Sequence, residues 1–287
     1  YFLTQAAASA MVLFSSVTNA WSTGSWDIMS MTNQHASIML TMALAMKLGL
    51  APLHFWLPEV LQGTSLKTAL IITTWQKLAP MALLFLTHNS MHPTILLTMG
   101  IVSTLTGGWG GLNQTQVRKI MAFSSIAHLG WMATVLTLSP TIMLLNLSLY
   151  ILMTASTFLM LIYSSSKTIK DLTTSWQITP ATTTAMLVLL MSLGGLPPLT
   201  GFMPKWLVLQ ELISHKLMIG STTMALSTLL SLFFYLRLSY LTALTMAPTQ
   251  TQSTYKWRFQ PKLKTNTMTI MLMLSSLLLP MTPMLVA

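Results

Sequence analysis

Three lysines lie deep inside apolar runs, where a charged side chain is least easily accommodated. Lys47 lies in SIMLTMALAMKLGLAPLHFW, Lys77 in LKTALIITTWQKLAPMALLFL, and Lys205 follows the glycine and proline cluster in SLGGLPPLTGFMPKW. At about 1.5 Å of rise per helical residue, Lys47 and Lys77 lie roughly 15 Å from either end of their segments, too far to reach a membrane surface easily. A buried amine needs water, a partner or the loss of its proton, and each of these makes it a candidate proton carrier.

The acidic residues offer these lysines few partners. Desolvation and neighbouring positive charge both favour the neutral amine, so a charge moving nearby could load or discharge each lysine in turn. None of the four acids lies clearly in the middle of an ordinary span; they are Asp27, Glu59, Asp171 and Glu211. Glu59 follows Pro58 and is either a site residue or a first-turn acid stabilised by its helix dipole. Glu211 and His215 are four residues apart, which predicts a contact at a helix end.

Two of the six histidines are further candidates for proton transfer. His54, in APLHFW, could relay between Lys47 and Lys77, or could simply bond a backbone carbonyl. His128, in FSSIAHLGWM, follows Ser124 by four residues. This spacing predicts that the two side chains form a polar stripe on one helix face. The alternative for His128 is a satisfied interhelical hydrogen bond.

The composition places these residues in a membrane and excludes several other chemistries. Of 287 residues, 53% are hydrophobic and only 6% charged, whereas roughly a quarter of a soluble domain's residues are charged. The absence of cysteine excludes disulfides, thiolate metal sites and any iron–sulfur centre held by this chain alone. No histidine pair has metal-binding HExxH spacing, and no nucleotide or acyl-enzyme motif occurs. The net charge of +10 does not indicate nucleic-acid binding, because the basic residues are not clustered among exposed aromatic residues.

The apolar stretches predict an all-α transmembrane fold with about nine crossings. We place these spans at about 2–20, 37–61, 66–87, 93–112, 118–138, 141–164, 181–212, 217–245 and 266–286. If all nine cross, the loops on one side hold nine of the fourteen basic residues, which are Lys67, Arg118, Lys119, Lys167, Lys170, Lys256, Arg258, Lys262 and Lys264. The opposite loops hold only Lys216, and Arg237 lies near the basic end of its span. The positive-inside rule then puts the N-terminus on the inner side.

Glycine and proline interrupt two of the predicted spans. The interruptions lie at KLGLAPLHFWLPEV and SLGGLPPLTGF, which predicts two discontinuous helices. Freed backbone groups at membrane depth must be covered by protein or by a water-filled cavity. The two breaks are five segments apart, which is typical of the inverted repeats in which transporters hold ion sites. Two unrelated proline kinks remain the alternative.

Several motifs together resemble one known family. KLGLAPLHFWLPEVLQGTSLKTALI, FSSIAHLGW and GGLPPLTGFMPKW are similar to signatures of the antiporter-like membrane subunits of respiratory complex I, NADH:ubiquinone oxidoreductase, and the likeness runs the length of the chain. The resemblance implies a single antiporter-like domain over 1–287 in which Lys47, Lys77 and Lys205 match the family's midplane lysines. Family members also have an intramembrane glutamate on an upstream helix, so we expect the chain to lack N-terminal helices of the family.

The expected function is proton translocation along a hydrated midplane chain of lysines, driven by electron transfer in other subunits. The resemblance implies that NADH, FMN, iron–sulfur clusters and ubiquinone bind partner subunits and that this chain binds no cofactor. Expected partners are the other membrane-arm and accessory subunits, and lipids such as cardiolipin. Abundant methionine and threonine suggest a mitochondrial gene and therefore the mitochondrial inner membrane, with the basic loops in the matrix. The alternatives are a stand-alone cation/proton antiporter, a structural scaffold without a proton path, and a quinone-binding enzyme.

Overall fold

The computed structural model describes residues 1–178, 180–244, 266–277 and 279–281. Two short 3₁₀ helices lie at His88–Ser90 and Leu279–Met281. In the described residues, thirteen α-helices follow one another: α1 (Phe2–Thr23), α2 (Gln34–Leu48), α3 (Trp56–Gly63), α4 (Leu66–Thr73), α5 (Trp75–Leu86), α6 (Pro93–Gly111), α7 (Val117–Leu136), α8 (Pro140–Ser164), α9 (Ile169–Ile178), α10 (Pro180–Gly194), α11 (Phe202–Ser214), α12 (Met218–Leu244) and α13 (Asn266–Leu277).

The prediction of an all-α membrane protein is confirmed, but the count of nine crossings is not. Within the described residues, the only strand-like pairing is an isolated bridge between Gln116 and Thr168. Four helical stretches are long and apolar enough to cross a membrane, namely Leu66–Leu86, Val117–Leu136, Pro140–Ser164 and Met218–Leu244. The other predicted spans are not helices of sufficient length and apolar character within the described residues. Those around the two breaks consist of half-helices, α1 and α6 are less apolar, and the segment 266–286 lies partly outside the described residues.

Both predicted interruptions are present, and they share one geometry. Helix α2 ends at Leu48, and Gly49 follows in the left-handed conformation at φ 81°. Helix α10 ends at Gly194, and Gly195 follows, also at φ 81°. Glycine adopts this conformation without the steric cost of a Cβ, so it ends a helix cleanly. Each break therefore leaves the carbonyl end of a helix inside the bundle.

The segment that contains Lys77 is a third interrupted helix, whereas the sequence predicted a continuous one. The interruption is at Thr74 (φ −111°, ψ −69°), between α4 and α5. The hydroxyls of Thr73 and Thr74 donate to the carbonyls of Ala69 and Leu70 at 2.9 and 2.7 Å. Threonine bonds of this kind bend helices. Lys77 therefore lies in the first turn of α5, immediately after a bend.

Helix α7 occupies the centre of the bundle and is almost entirely buried. It packs most closely against α6, where Gly107 faces its backbone. A Cβ at Gly107 would lie 2.7 Å from the backbone nitrogen of Ala127, so only glycine allows this approach. Small residues at a helix interface are the usual way for membrane helices to pack closely. This packing fixes α7, and with it His128, in the middle of the fold.

Candidate proton-transfer site

Lys77 is buried and hydrogen-bonded to a tyrosine that sequence reasoning did not identify. Its side chain is only 3% exposed. The Nζ atom donates to the Tyr150 hydroxyl on α8 at 3.1 Å, and that hydroxyl donates to the Thr73 carbonyl at 3.2 Å. The hydrogen-bond partner of this amine is therefore a neutral phenol.

Lys205 is positioned directly by the second break. It lies in the first turn of α11 and is 9% exposed. Its Nζ donates to the Gly194 carbonyl at the end of α10 at 2.8 Å. The last carbonyls of a helix have no partner within that helix, so they are good acceptors for an ammonium group. The broken helix thus supplies the polar environment that this lysine needs.

His128 lies close to the partner of one lysine and to the other lysine itself. Its buried ring lies 5.6 Å from the ring of Tyr150, measured between centroids. It also lines a small cavity of about 10 Å³ together with Lys205, Tyr235 and the polar Ser124 and Ser231. This volume is near the lower limit for a single water molecule, and the lining has enough polar groups to bind one. The Ser124–His128 stripe predicted from the sequence therefore faces the lysine of the second break.

Lys47 does not join this group. It lies half-buried in the last turn of α2, two residues before Gly49. Its backbone carbonyl accepts a hydrogen bond from Gln5 at 3.5 Å, but its Nζ has no hydrogen-bond partner among the residues described. The structure therefore brings together Lys77, His128 and Lys205, with Lys47 on the neighbouring helix α2, which packs against α5.

His54 and Glu59 lie in a separate groove of about 770 Å³ between α3, α6 and α7, which Lys119 also lines. The His54 ring is buried, and its Nδ1 has no hydrogen-bond partner in the described part of the chain. Glu59 is exposed in the first turn of α3, as expected for an acid stabilised by the helix dipole. Neither Lys47 nor Lys77 lines this groove.

The predicted contact between Glu211 and His215 at a helix end is present. The distance from His215 Nε2 to Glu211 Oε2 is 4.0 Å.

Tyr150 and Tyr235 are site residues that the sequence analysis missed. Both are fully buried inside apolar helices. The Tyr235 hydroxyl has no hydrogen-bond partner within the described ranges, although Ser124 lies near it. A signal was available, because Tyr235 follows Ser231 by four residues, the same spacing as Ser124 and His128. Polar residues repeated every four positions inside an apolar run mark one helix face.

Comparisons with known proteins identify first the class and then the family. Residues 1–231 match the family model described as NADH:quinone oxidoreductase/Mrp antiporter, TM, which defines a class of antiporter-like membrane subunits. Residues 232–286 match the model described as NADH dehydrogenase subunit 2 C-terminus. The chain is 57% identical to NADH-ubiquinone oxidoreductase chain 2 of Xenopus laevis, covering 99% of this chain and 82% of the relative. The corresponding protein of Tetraodon nigroviridis is 59% identical, with 99% and 81% covered. The chain belongs to the NADH-ubiquinone oxidoreductase chain 2 family.

Solved structures agree with this assignment. A chain of respiratory complex I from Thermus thermophilus is 28% identical and superposes with a TM-score of 0.81, covering 98% of this chain and 66% of that one. A chain of an archaeal membrane-bound sulfane sulfur reductase has a TM-score of 0.84 at 16% identity, which supports the fold alone. The motifs WQKLAP, GGWGGLNQTQVRKIMAFSSIAHLGWM and GFMPKW resemble subunit 2 in particular, and the chain 2 relatives confirm this resemblance.

Proposed function

We propose that this chain, as a proton-translocating membrane-arm subunit of NADH:ubiquinone oxidoreductase, carries protons through Lys47, Lys77 and Lys205. Tyr150 and His128 connect the last two of these lysines. Electron transfer in partner subunits drives the movement, and the NADH, FMN, iron–sulfur and ubiquinone sites belong to those partners. A charge arriving from a neighbouring subunit changes the proton affinity of one lysine, and then of the next.

A single observation carries this proposal: a buried tyrosine and a buried histidine lie between two buried lysines inside the bundle. Lys77 Nζ lies 3.1 Å from the Tyr150 hydroxyl, the Tyr150 ring lies 5.6 Å from the His128 ring, and His128 shares a cavity with Lys205. A hydroxyl both donates and accepts hydrogen bonds, and an imidazole has one ring nitrogen for each role. The Tyr150 hydroxyl and the His128 imidazole can therefore each accept a proton and release one.

The partners of the lysines favour transfer over a purely structural role. A structural scaffold would hold its lysines in ion pairs with carboxylates. In the residues described, the only contact between a carboxylate and a basic group is that of Glu211 with His215, which is partly exposed and lies at the opposite end of α11 from Lys205. Lys77 and Lys205 instead bond a phenol and a backbone carbonyl, which leave the amine free to be charged or neutral.

Topology and location are part of the same proposal. We infer nine crossings in one domain over 1–287, related internally as inverted repeats, in the mitochondrial inner membrane with the N-terminus and the basic loops in the matrix. The similar geometry of the breaks at Gly49 and Gly195 supports the repeat. The gathering of Lys67, Arg118 and Lys167 around one pocket supports a common side for their loops. The basic loop at 256–264 lies outside the described residues. Other complex I subunits and lipids such as cardiolipin are the proposed partners.

The test is Lys205→Met in the assembled complex. Methionine is similar in length to lysine but is apolar and cannot bind a proton. We therefore expect fewer protons pumped per electron or, if the two processes stay coupled, slower NADH oxidation together with slower pumping. Lys216→Met is the matched control, because Lys216 is exposed and lies at the loop before α12. The measurement is proton uptake against NADH oxidation in proteoliposomes. Undiminished pumping by a fully assembled Lys205→Met complex would refute the proposed role.

A further inference from the structure

Three loops are tied together at one end of the bundle, away from the proton-transfer residues. The Val117 backbone N–H donates to the Lys167 carbonyl at 3.2 Å, and the Ile169 N–H donates to the Thr115 carbonyl at 3.2 Å. These bonds join the α6–α7 loop to the α8–α9 loop. The Arg118 guanidinium donates to the Thr64 carbonyl and so adds the α3–α4 loop. The three loops are therefore held together by hydrogen bonds to backbone carbonyls.

These loops surround a cavity of about 430 Å³ into which each contributes one basic residue. Lys67 comes from the beginning of α4, Arg118 from the beginning of α7 and Lys167 from the loop before α9. The rest of the lining includes Ser65 and the apolar Leu66 and Ile162. The cavity is open to the surface, and its lining combines basic side chains with apolar ones.

The three basic side chains of this cavity have no acidic partner within its lining. No acidic residue lines it. The nearest acid in sequence, Asp171, is engaged locally, because its Oδ2 accepts hydrogen bonds from the backbone N–H groups of Thr168 and Lys167 at 2.8 and 3.0 Å. The Nε atom of Arg118 is buried and has no hydrogen-bond partner among the described residues. The cavity thus offers three cationic side chains and an unused donor to an anion.

We propose that this cavity binds the phosphate group of an anionic phospholipid. Phosphate oxygens accept several charge-assisted hydrogen bonds at once, and guanidinium groups match their geometry. Leu66 and Ile162 would contact the beginning of an acyl chain. Basic pockets between membrane helices are recognised sites for lipid head groups. This inference gives a site to the lipid partner of the proposed function, and it involves none of the proton-transfer residues, so the two can fail independently.

The experiment uses the assembled complex in phosphatidylcholine vesicles that contain a phosphatidylglycerol with a photoreactive group near its phosphate. Crosslinked residues are located by mass spectrometry. The test variant is Lys67→Gln/Lys167→Gln, in which both exposed side chains lose their charge and Arg118 keeps its bond to Thr64. The control, Lys170→Gln/Lys216→Gln, removes the same net charge from exposed lysines that do not line the cavity.

We expect labelling of the three loops in the wild type and in the control. Each lost charge lowers lipid binding about fivefold, so labelling in the test variant falls about 25-fold. An excess of inorganic phosphate leaves the labelling unchanged if the ligand is a lipid; if phosphate abolishes it, the lipid assignment is wrong and free phosphate is the ligand. Equal labelling of test and control variants, or no labelling of these loops in the wild type, would overturn the site itself.

Discussion

Removing the Tyr150 hydroxyl tests the proposed connection between the two buried lysines. In Tyr150→Phe the ring remains to fill the core, but Lys77 Nζ loses the acceptor that lies 3.1 Å away. A hydrogen bond to a charged group contributes about 1.5–3 kcal/mol. At 1.36 kcal/mol per factor of ten, holding a charged amine at Lys77 becomes about 10- to 150-fold less favourable. Proton transfer through Lys77 should slow by a comparable factor.

The assay measures NADH oxidation and protons pumped per electron by the reconstituted complex. If the two processes are tightly coupled, NADH oxidation falls with the transfer step; if electrons continue to flow, the protons per electron fall. Tyr240→Phe is the matched control, because it is the same substitution on α12 at a side chain that is 63% exposed. Native gels establish that both variants assemble. Wild-type values for both quantities in an assembled Tyr150→Phe complex would refute the relay.

Two further predictions concern the second break and the start of α9. Gly195→Ala puts a Cβ 2.8 Å from Lys205 Nζ, so the lysine must leave its carbonyl and pumping should fall, whereas Gly24→Ala has a similar positive φ of 73° and no neighbour within 4 Å; equal pumping in the two variants would contradict the role of the Lys205 contact. Backbone N–H donors lower the pKa of Asp171 below its ordinary value of 3.8, so its stabilisation of α9 is present above that pH and is lost as pH falls through the lower, folded value. Asp171→Asn should therefore speed hydrogen exchange of the two bonded amides about two- to fivefold at pH 7, from a loss of about 0.3–1 kcal/mol. Unchanged exchange would show that the carboxylate does not stabilise the helix.

Local signals in the sequence identified the lysines as candidate site residues and predicted the two main helix breaks. A lysine inside an apolar run is conspicuous, and glycine followed by proline stops a helix whatever surrounds it. The third break was not predicted, because adjacent threonines such as Thr73 and Thr74 are common within continuous helices. Their hydroxyls bend the chain here only in combination with the local backbone conformation. A glycine closely followed by proline therefore predicted both main breaks, whereas Pro80 alone lies inside α5 and the threonine pair gave no signal.

The partners of the lysines could not be predicted in the same way. Lys77 and Tyr150 are 73 residues apart, and their contact depends on how α5 packs against α8. No local pattern encodes that distance. The position of His128 was predicted only in part. The sequence predicted its stripe with Ser124 but not that this stripe faces Lys205. What the stripe faces follows from the central position of α7, which depends on the close approach of α6 at Gly107.

The choice of neutral partners for the lysines has a functional consequence. A buried lysine paired with a carboxylate gains strong attraction only while both are charged, and losing the proton would strand a buried anion. Lys77 and Lys205 instead bond the Tyr150 hydroxyl and the Gly194 carbonyl, which tolerate either state of the amine. Under the proposed function, such partners leave each amine able to change its charge when a charge moves nearby. A broken helix is well suited to this purpose, because its free carbonyl favours a cation without adding a full negative charge.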